Sequence, residues 1–474
     1  MPSSLPDRGS DLNAHAVVRI YCTSQEPDYD APWQAKTPSS STGSGVVIGP
    51  GRILTGAHVV AHATFVQVQR VEDPAKVPVR LAAVCHDADL ALLEVDPSFT
   101  ADVEPPAFGP LPGLQSRVSV VGFPVGGQEV SVTEGIVSRI EVQQYSHSRR
   151  RLLAITVDAA INSGNSGGPV FVDGAVVGIA FQSLVDAENI GEVVPTVIIE
   201  RFLRSVDAAE APDVGPIAVS VPALSLRTQV LESKALRRHL GLPEGTSGIR
   251  VVAVEHGGSC DGVLRPGDAL VEVDGHRVAD NGTIRYVDRF RTGVGALLGA
   301  KAVGERMALV VWRDGARLEL EVELQPLTTL VPRQQYDQMP FYLVFGGLVF
   351  QPLSRDFLAT WDKWWLHAPK DLLTDYWYGH RSEATRERVV IGQVLADSLT
   401  VGMEGHAHEL VEAVDGLPIG DLSDLARHLD AATDTVVLRT ARGHELVLDA
   451  REARAREATI LERYRIPSPR SATL

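Results

Sequence analysis

A histidine, an aspartate and a serine follow one another in three short segments: Leu54-Thr-Gly-Ala-His58, Asp87-Ala-Asp-Leu-Ala-Leu-Leu93 and Asn162-Ser-Gly-Asn-Ser-Gly-Gly-Pro169. These residue types suit nucleophilic acyl transfer. A serine hydroxyl is too weakly acidic to attack an amide unaided, so a neighbouring imidazole must take its proton. His58 is the candidate base and Ser166 the candidate nucleophile. A buried carboxylate must then fix the imidazole tautomer and stabilise the imidazolium, and Asp89 fits that role. The glycines around Ser166 permit a tight turn. Such a turn can aim the N–H groups of Gly164 and Ser166 at a developing oxyanion, where each donor is worth roughly 3–4 kcal/mol.

Other motifs overlap these residues. Gly164-Asn-Ser-Gly-Gly168 fits the Gly-x-Ser-x-Gly elbow of α/β-hydrolases. That fold needs strand–helix alternation and the order serine, acid, histidine, whereas here the histidine and aspartate come first. His58 and His62 have the spacing of a zinc helix, but Val59 stands where such a helix carries its glutamate, and no third ligand is evident. His406 and His408 are two possible ligands that no nearby residue completes. No metal and no cofactor is expected.

The elements that must position the three residues read as short strands. Ala16–Tyr21, Ser44–Ile48, Phe65–Gln69 and Arg117–Gly122 are β-branched, partly alternating and bounded by Gly, Pro or Asp. Regular short strands with turn signals predict an all-β barrel or sandwich from Ala16 to about Ala211, closed by a helix at Val197–Val206. Ala208–Pro216 reads as a linker. A second region, Val219–Pro326, has a helix at Glu232–Leu240, a strand at Gly248–Val254 and a hairpin around Asp314-Gly315. A third, Tyr336–Pro467, repeats the grammar loosely: Asp-Ala-Leu-Val-Glu-Val-Asp-Gly ends at Gly275, and His-Glu-Leu-Val-Glu-Ala-Val-Asp-Gly ends at Gly416. That weak repeat suggests two copies of one small module. A short helix is expected at Asp421–Leu429 and an exposed, charge-rich one at Ala450–Tyr464. Four of the six tryptophans fall between Trp361 and Trp377 and read as the core of an insertion. Arg149-Arg-Arg151 reads as a solvated basic loop.

Length and composition bound the rest. A chain of 474 residues suggests roughly three domains at about 150 residues each. With 44% apolar and 22% charged residues it is neither disordered nor a multi-span membrane protein. The net charge of −16 repels phosphate backbones, so no nucleic acid is expected as partner. Cys22, Cys85 and Cys260 are too few for a disulfide framework or a zinc site and fit a reducing compartment. The most apolar run, Met339–Leu353, is too short to span a bilayer and reads as buried strands. The first residues lack the apolar core of a secretory signal, so a cytoplasmic location is favoured, with nucleus or organelle open if the source is eukaryotic.

Thr55-Gly-Ala-His58, Asp89-Leu-Ala-Leu-Leu93 and Asn162–Pro169 together resemble the three motifs of the Deg/HtrA proteases. Val120–Gly127, Ser131–Arg139, Gly178–Ser183 and Phe341–Phe350 further resemble the branch known from plant nuclei and organelles and from some bacteria. The resemblance implies a mainly β protein: a trypsin-like double β-barrel followed by two PDZ-like α+β domains. It divides the chain into a tail at 1–15, a protease domain at 16–211, and PDZ domains at 212–328 and 336–467, the last including the C-terminal helix. It makes His58, Asp89 and Ser166 the catalytic triad and Gly164, Asn165 and Ser166 the oxyanion donors. It makes the loop from Gln182 to Val194 the border of the specificity pocket. It implies an ATP-independent endopeptidase for unfolded or damaged proteins, acting after small aliphatic residues, as a homo-oligomer built from trimers or larger assemblies. Gly56 departs from the family's usual Asn or Ala, at a side chain that does no chemistry. PDZ domains bind peptide C-termini by strand addition; the expected loops are Ser247, Gly248 and Ile249 in the first copy, and Gly347, Leu348, Val349 and Phe350 in the second, the alternative being that either groove is filled internally or by a neighbouring subunit. The alternatives are a chaperone or PDZ adaptor on a relic protease, and a latent protease switched by peptide or assembly.

Overall fold

Short β-branched runs bounded by turn residues become strands throughout the computed structural model, which describes residues 14–71, 73–124, 129–161, 164–183, 190–472 and 474. Its contacts divide into two compact units. One comprises residues up to Ser24, Pro38–Val254 and Gly258–Leu327; the other comprises Gln25–Thr37, Glu255–Gly257 and Thr328–Leu474.

The first unit opens with an eight-stranded sheet, ordered Ile217–Ala218, Arg80–Cys85, Leu90–Glu94, Arg52–Thr55, Ser39–Gly49, Val17–Ser24, Ala63–Arg70 and Val77–Pro78. Alternation drives it: Val18, Ile20 and Cys22 point to one face and are buried with Val47, Ile53, Val66 and Leu93. A closed six-stranded barrel follows, formed by Arg151–Val157, Gly191–Pro195, Ala175–Ser183, Pro169–Val172, Arg117–Gly122 and Ser131–Gln144. A larger core joins the two, from Leu54, Ala83 and Leu90 to Ile155, Val193 and Phe202. The helix expected at Val197–Val206 spans Thr196–Ala208 and buries Ile198, Ile199, Phe202 and Val206. Beyond it, residues 209–216 carry no helix or strand, and Ile217–Ala218 then returns to the first sheet, parallel to Arg80–Cys85.

The remainder of this unit is built on a sheet ordered Leu226–Val230, Ile249–Val254, Ala269–Val273, Arg306–Arg313 and Ala316–Glu323, with the separate hairpin Thr283–Tyr286 and Phe290–Gly293 beside it in the chain. Its last hairpin turns at Asp314 and Gly315, with φ of 51° and 83°.

The second unit has a sheet ordered Leu343–Phe345, Leu348–Pro352, Val389–Val394, Leu410–Val414, Thr435–Thr440 and Glu445–Asp449. Omitting its first strand, the order matches that of the preceding sheet. The registers match too. Leu226 pairs with Val254 as Leu348 pairs with Val394, and both ladders shift after the second residue. A second shift, after Leu270 in one and Val411 in the other, is also shared. The Asp-Gly pairs that end the sequence repeat make the same turn, with φ of 48° and 78° at Asp274 and Gly275 and 50° and 78° at Asp415 and Gly416.

Three expectations need correction. The helix Ala450–Tyr464 is not simply exposed: Ala450, Ala453 and Ile460 are buried, and Arg456 and Arg463 reach Asp397, whose carboxylate is fully buried, at 2.7 and 2.9 Å. The tryptophan cluster is only half a core. Trp364 packs with Phe357, Leu358, Leu372 and Leu373, but Trp365 and Trp377 are 54% and 56% exposed. Helices as short as Trp364–His367 and Lys370–Tyr378 bury one face and leave the other in solvent. Arg150 is not solvated. It is buried, donates to the carbonyls of Val221 and Pro222 at 2.9 and 2.8 Å, and pairs with Asp87 at 2.8 Å.

Candidate active site

His58 and Asp89 meet because the strands that lead to them are neighbours. Arg52–Thr55 pairs with Leu90–Glu94, with Thr55 opposite Ala91. Just past Thr55 comes the single helical turn Ala57–Val60, whose Ala57, Val59 and Val60 are buried and leave His58 facing outward. That turn ends before His62, so His58 and His62 do not share a helix face and do not form the zinc helix that their spacing mimics. Just before Leu90 the chain makes a 3₁₀ turn at His86–Ala88, and Asp89 takes a left-handed conformation (φ 55°, ψ 47°). That bend aims its carboxylate at the histidine: Oδ1 accepts from the His58 backbone N–H at 2.8 Å, and Oδ2 lies 2.7 Å from Nδ1.

The electrostatics follow. Burial opposes ionisation of Asp89, but His58, and more weakly His147, hold its pKa at about 2. Burial likewise opposes a charged His58, and the Asp89 carboxylate outweighs it by charge and hydrogen bond, so the pKa of His58 lies above the ordinary 6.5. With Nδ1 engaged by the carboxylate, Nε2 is the nitrogen left to accept a proton.

Ser166 lies in the turn 164–167 before the strand Pro169–Val172. What fixes that turn is a residue that the sequence reading missed. Ser44, fully buried in the strand Ser39–Gly49, donates its hydroxyl to the carbonyl of Gly164 at 2.7 Å. Its backbone N–H donates to the carbonyl of Ser166 at 2.9 Å. Its hydroxyl also accepts from the N–H of Phe123 at 2.8 Å, and its carbonyl accepts from the hydroxyl of Thr55 at 2.7 Å. One serine thus ties the turn that carries Ser166 to the strand Arg52–Thr55, which leads into the helical turn of His58.

Gly164, Asn165 and Ser166 all belong to this turn; Gly164 and Asn165 are buried and Ser166 is half-buried. Residues 184–189 of the expected pocket loop lie outside the described residues. Gly56 is not neutral to the site, since a Cβ there would lie 2.8 Å from Cε1 of His58. His147 is a further neighbour without a sequence signal: it is buried, its ring lies 6.3 Å from that of His58, and its Nε2 is 3.0 Å from Nδ1 of His86.

Residues 43–179 match a family described as a trypsin-like peptidase domain, and residues 331–473 match one described as a PDZ domain. Over 478 aligned residues the chain is 37% identical to "Protease Do-like 2, chloroplastic" of Arabidopsis thaliana, covering 100% of this chain and 77% of that protein. The chain belongs to the Do-like, or Deg/HtrA, family of serine endopeptidases. A further relative is "Protease Do-like 4, mitochondrial" of the same plant, 33% identical over 461 residues, 97% of this chain and 85% of that one. Among solved structures, the HtrA-type protease AlgW with tripeptide aligns at a TM-score of 0.51 and 25% identity, over 67% of this Do-like protease and 96% of that chain. The names of the relatives do not support the cytoplasmic location favoured by the sequence reading. No helix among the described residues is long and apolar enough to cross a membrane.

The expected peptide-binding residues sit in unlike places. Gly347–Phe350 open the strand Leu348–Pro352, which is paired on both edges: with Val389–Val394 on one and Leu343–Phe345 on the other. Ser247–Ile249 do not occupy the matching position in the other sheet. The shared register puts Leu226–Val230 there, preceded by Ser225, whose φ of 51° parallels the 91° of Gly347. The N–H of Gly248 instead donates to Asp280 at 3.2 Å, and the hydroxyl of Ser247 donates to the carbonyl of Val278 at 2.7 Å.

Proposed function

We propose that His58, Asp89 and Ser166 are the catalytic triad of an ATP-independent endopeptidase for unfolded or damaged proteins. The observation that carries this reading is the short bond between the buried Asp89 carboxylate and His58, beside the strand Arg52–Thr55 to which Ser44 ties the Ser166 turn. Ser166 attacks the scissile carbonyl while His58 Nε2 takes its proton. Asp89 holds the ring and stabilises the imidazolium, and His58 then gives the proton to the leaving amine. The N–H groups of Gly164 and Ser166, with Asn165 beside them, carry the oxyanion. The two sheets of shared register support two PDZ-like modules, in 212–328 and 336–467. The first would take peptide along Leu226–Val230, whose outer edge is free of any other described strand. The family resemblance supports a homo-oligomer, and the names of the relatives suit an organelle.

The test is digestion of unfolded casein without ATP by the wild type and by Ser166→Ala. Loss of cleavage in the variant is expected, and persistence would remove Ser166 from the mechanism. Because the pKa of His58 is raised, more of it is protonated at a given pH. The rising limb of kcat/KM should therefore fall above pH 6.5, while Asp89 stays ionised throughout. Asp89→Asn should lower kcat by about 10⁴-fold, the scale of the same change in another serine protease.

A further inference from the structure

The second unit holds a histidine–carboxylate cluster that proteolysis does not use. Glu409 precedes the strand Leu410–Val414, and its side chain is only 2% exposed. Its Oε1 lies 3.1 Å from Nδ1 of His406 and 3.0 Å from Nδ1 of His444, and its Oε2 lies 2.9 Å from the latter. His408, the expected partner of His406, turns away and packs its ring 4.8 Å from that of Trp361. The partner that completes the group, His444, comes from the turn between Thr435–Thr440 and Glu445–Asp449.

We propose that His406 Nδ1, the Glu409 carboxylate and His444 Nδ1 form a binding site for a zinc-like divalent cation. Three observations carry this. The three ligand atoms lie within 4.8 Å of one another. Two ligands at about 2.1 Å from a tetrahedral zinc are about 3.4 Å apart, close to the nitrogen–oxygen separations seen. The donor set of two imidazoles and one carboxylate is that of zinc and its transition-metal neighbours, and it excludes magnesium and calcium, which take oxygen. The frame is also rigid. The N–H of Ala441 donates to the carbonyl of Leu410 at 2.8 Å, the N–H of Thr440 donates to the carbonyl of His444 at 2.9 Å, and the N–H of Ile391 donates to the carbonyl of Glu409 at 2.9 Å. His444 is half exposed, which gives an entry path and a fourth position for water.

One group opposes the cation. Arg442 places Nη1 3.8 Å from Glu409 Oε1, while its Nε and Nη2 hold Asp371 at 3.0 and 2.9 Å. It competes for the carboxylate and can stay on Asp371 when an ion enters. The bound ion would clasp the hairpin turn at His444 to the segment that leads into Leu410–Val414.

Calorimetric titration of the full chain with zinc chloride, and visible absorption with cobalt(II), test the site. The wild type should bind one zinc with tetrahedral cobalt bands, and zinc should raise the thermal transition. His406→Ala and His444→Ala should each weaken binding by more than about tenfold, since even residues outside a coordination sphere cost that much, and should lose the cobalt bands. Arg442→Ala should tighten binding severalfold. Circular dichroism and a cooperative urea transition of each variant report that it is folded. No binding at millimolar metal, or equal binding by the wild type and both histidine variants, would overturn the proposal.

Discussion

The two sheets that begin at Leu226 and at Leu348 share strand order, register shifts and an Asp-Gly turn, yet they treat their leading strand in opposite ways. Leu226–Val230 ends its sheet, and Thr228, Gln229 and Val230 are exposed. Leu348–Pro352 is flanked by Leu343–Phe345 and buried from Leu348 to Gln351. That flanking strand is covered in turn, since Val344 donates its N–H to the carbonyl of Pro469 at 2.6 Å. An unpaired edge strand is a template for another chain, and a paired one is not. The modules differ again after the Asp-Gly turn. The second has the ten-residue helix Leu422–Ala431, capped by Asp421. The first has a hairpin, Thr283–Tyr286 with Phe290–Gly293, and the single turn Gly295–Leu298. The same β scaffold thus leaves one edge without a further described strand and seals the other into its own core.

The sharpest test compares equivalent positions. Phe350 and Thr228 hold the same register, but Phe350 is fully buried and Thr228 is exposed. Phe350→Ala should cost about 3–5 kcal/mol, read by urea unfolding. Thr228→Ala should stay within about 0.5 kcal/mol. Similar costs at the two positions would mean that the first strand is covered as well. A smaller contrast lies one turn earlier. Gly347 has φ of 91°, and a Cβ there would lie 2.9 Å from Thr400 Cγ2 and 3.2 Å from the carbonyl of Leu395. Gly347→Ala should therefore cost about 1–3 kcal/mol. Ser225 already tolerates its left-handed φ of 51° with a side chain in place. Ser225→Gly should change stability by less than about 1 kcal/mol, because relieved strain offsets the lost side chain.

The sequence made some of this legible and hid the rest. His58, Asp89 and Ser166 stand out because each sits in a short motif whose local turn is itself encoded. Ser44 does not, because it lies in a serine-rich stretch and acquires its role only when Gly164 and Ser166 fold against it. The module repeat is visible at Asp274-Gly275 and Asp415-Gly416, where turn chemistry constrains residue type. It fades in the leading strands, where Leu226-Arg-Thr-Gln-Val230 and Leu348-Val-Phe-Gln-Pro352 share only leucine and glutamine. One is largely exposed and the other buried, so their compositions diverge, and nothing in the sequence marks Leu226–Val230 as the counterpart of Leu348–Pro352. His444 was hidden in the same way, since strand pairing rather than spacing brings it to Glu409.

The hairpin that replaces the helix in the first module supplies the last test. Thr292 is buried, and its hydroxyl accepts from the backbone N–H of Val142 at 2.6 Å, at the end of the barrel strand Ser131–Gln144. That strand pairs with Arg117–Gly122 only up to Ile136, so near Val142 this edge needs another acceptor. Thr292→Val keeps the shape and removes the acceptor. A buried donor left without its partner costs about 1–3 kcal/mol. Within the comparison, the change should loosen the hairpin against the barrel and leave the Leu226–Val230 edge untouched. Hydrogen exchange should accelerate at Val142 and along Phe290–Gly293, with peptide affinity at Leu226–Val230 unchanged. If peptide affinity falls as well, the hairpin does more than anchor the module. It would then act on the leading strand of its own sheet, whereas the helix Leu422–Ala431 in the second unit packs against Leu343–Phe345.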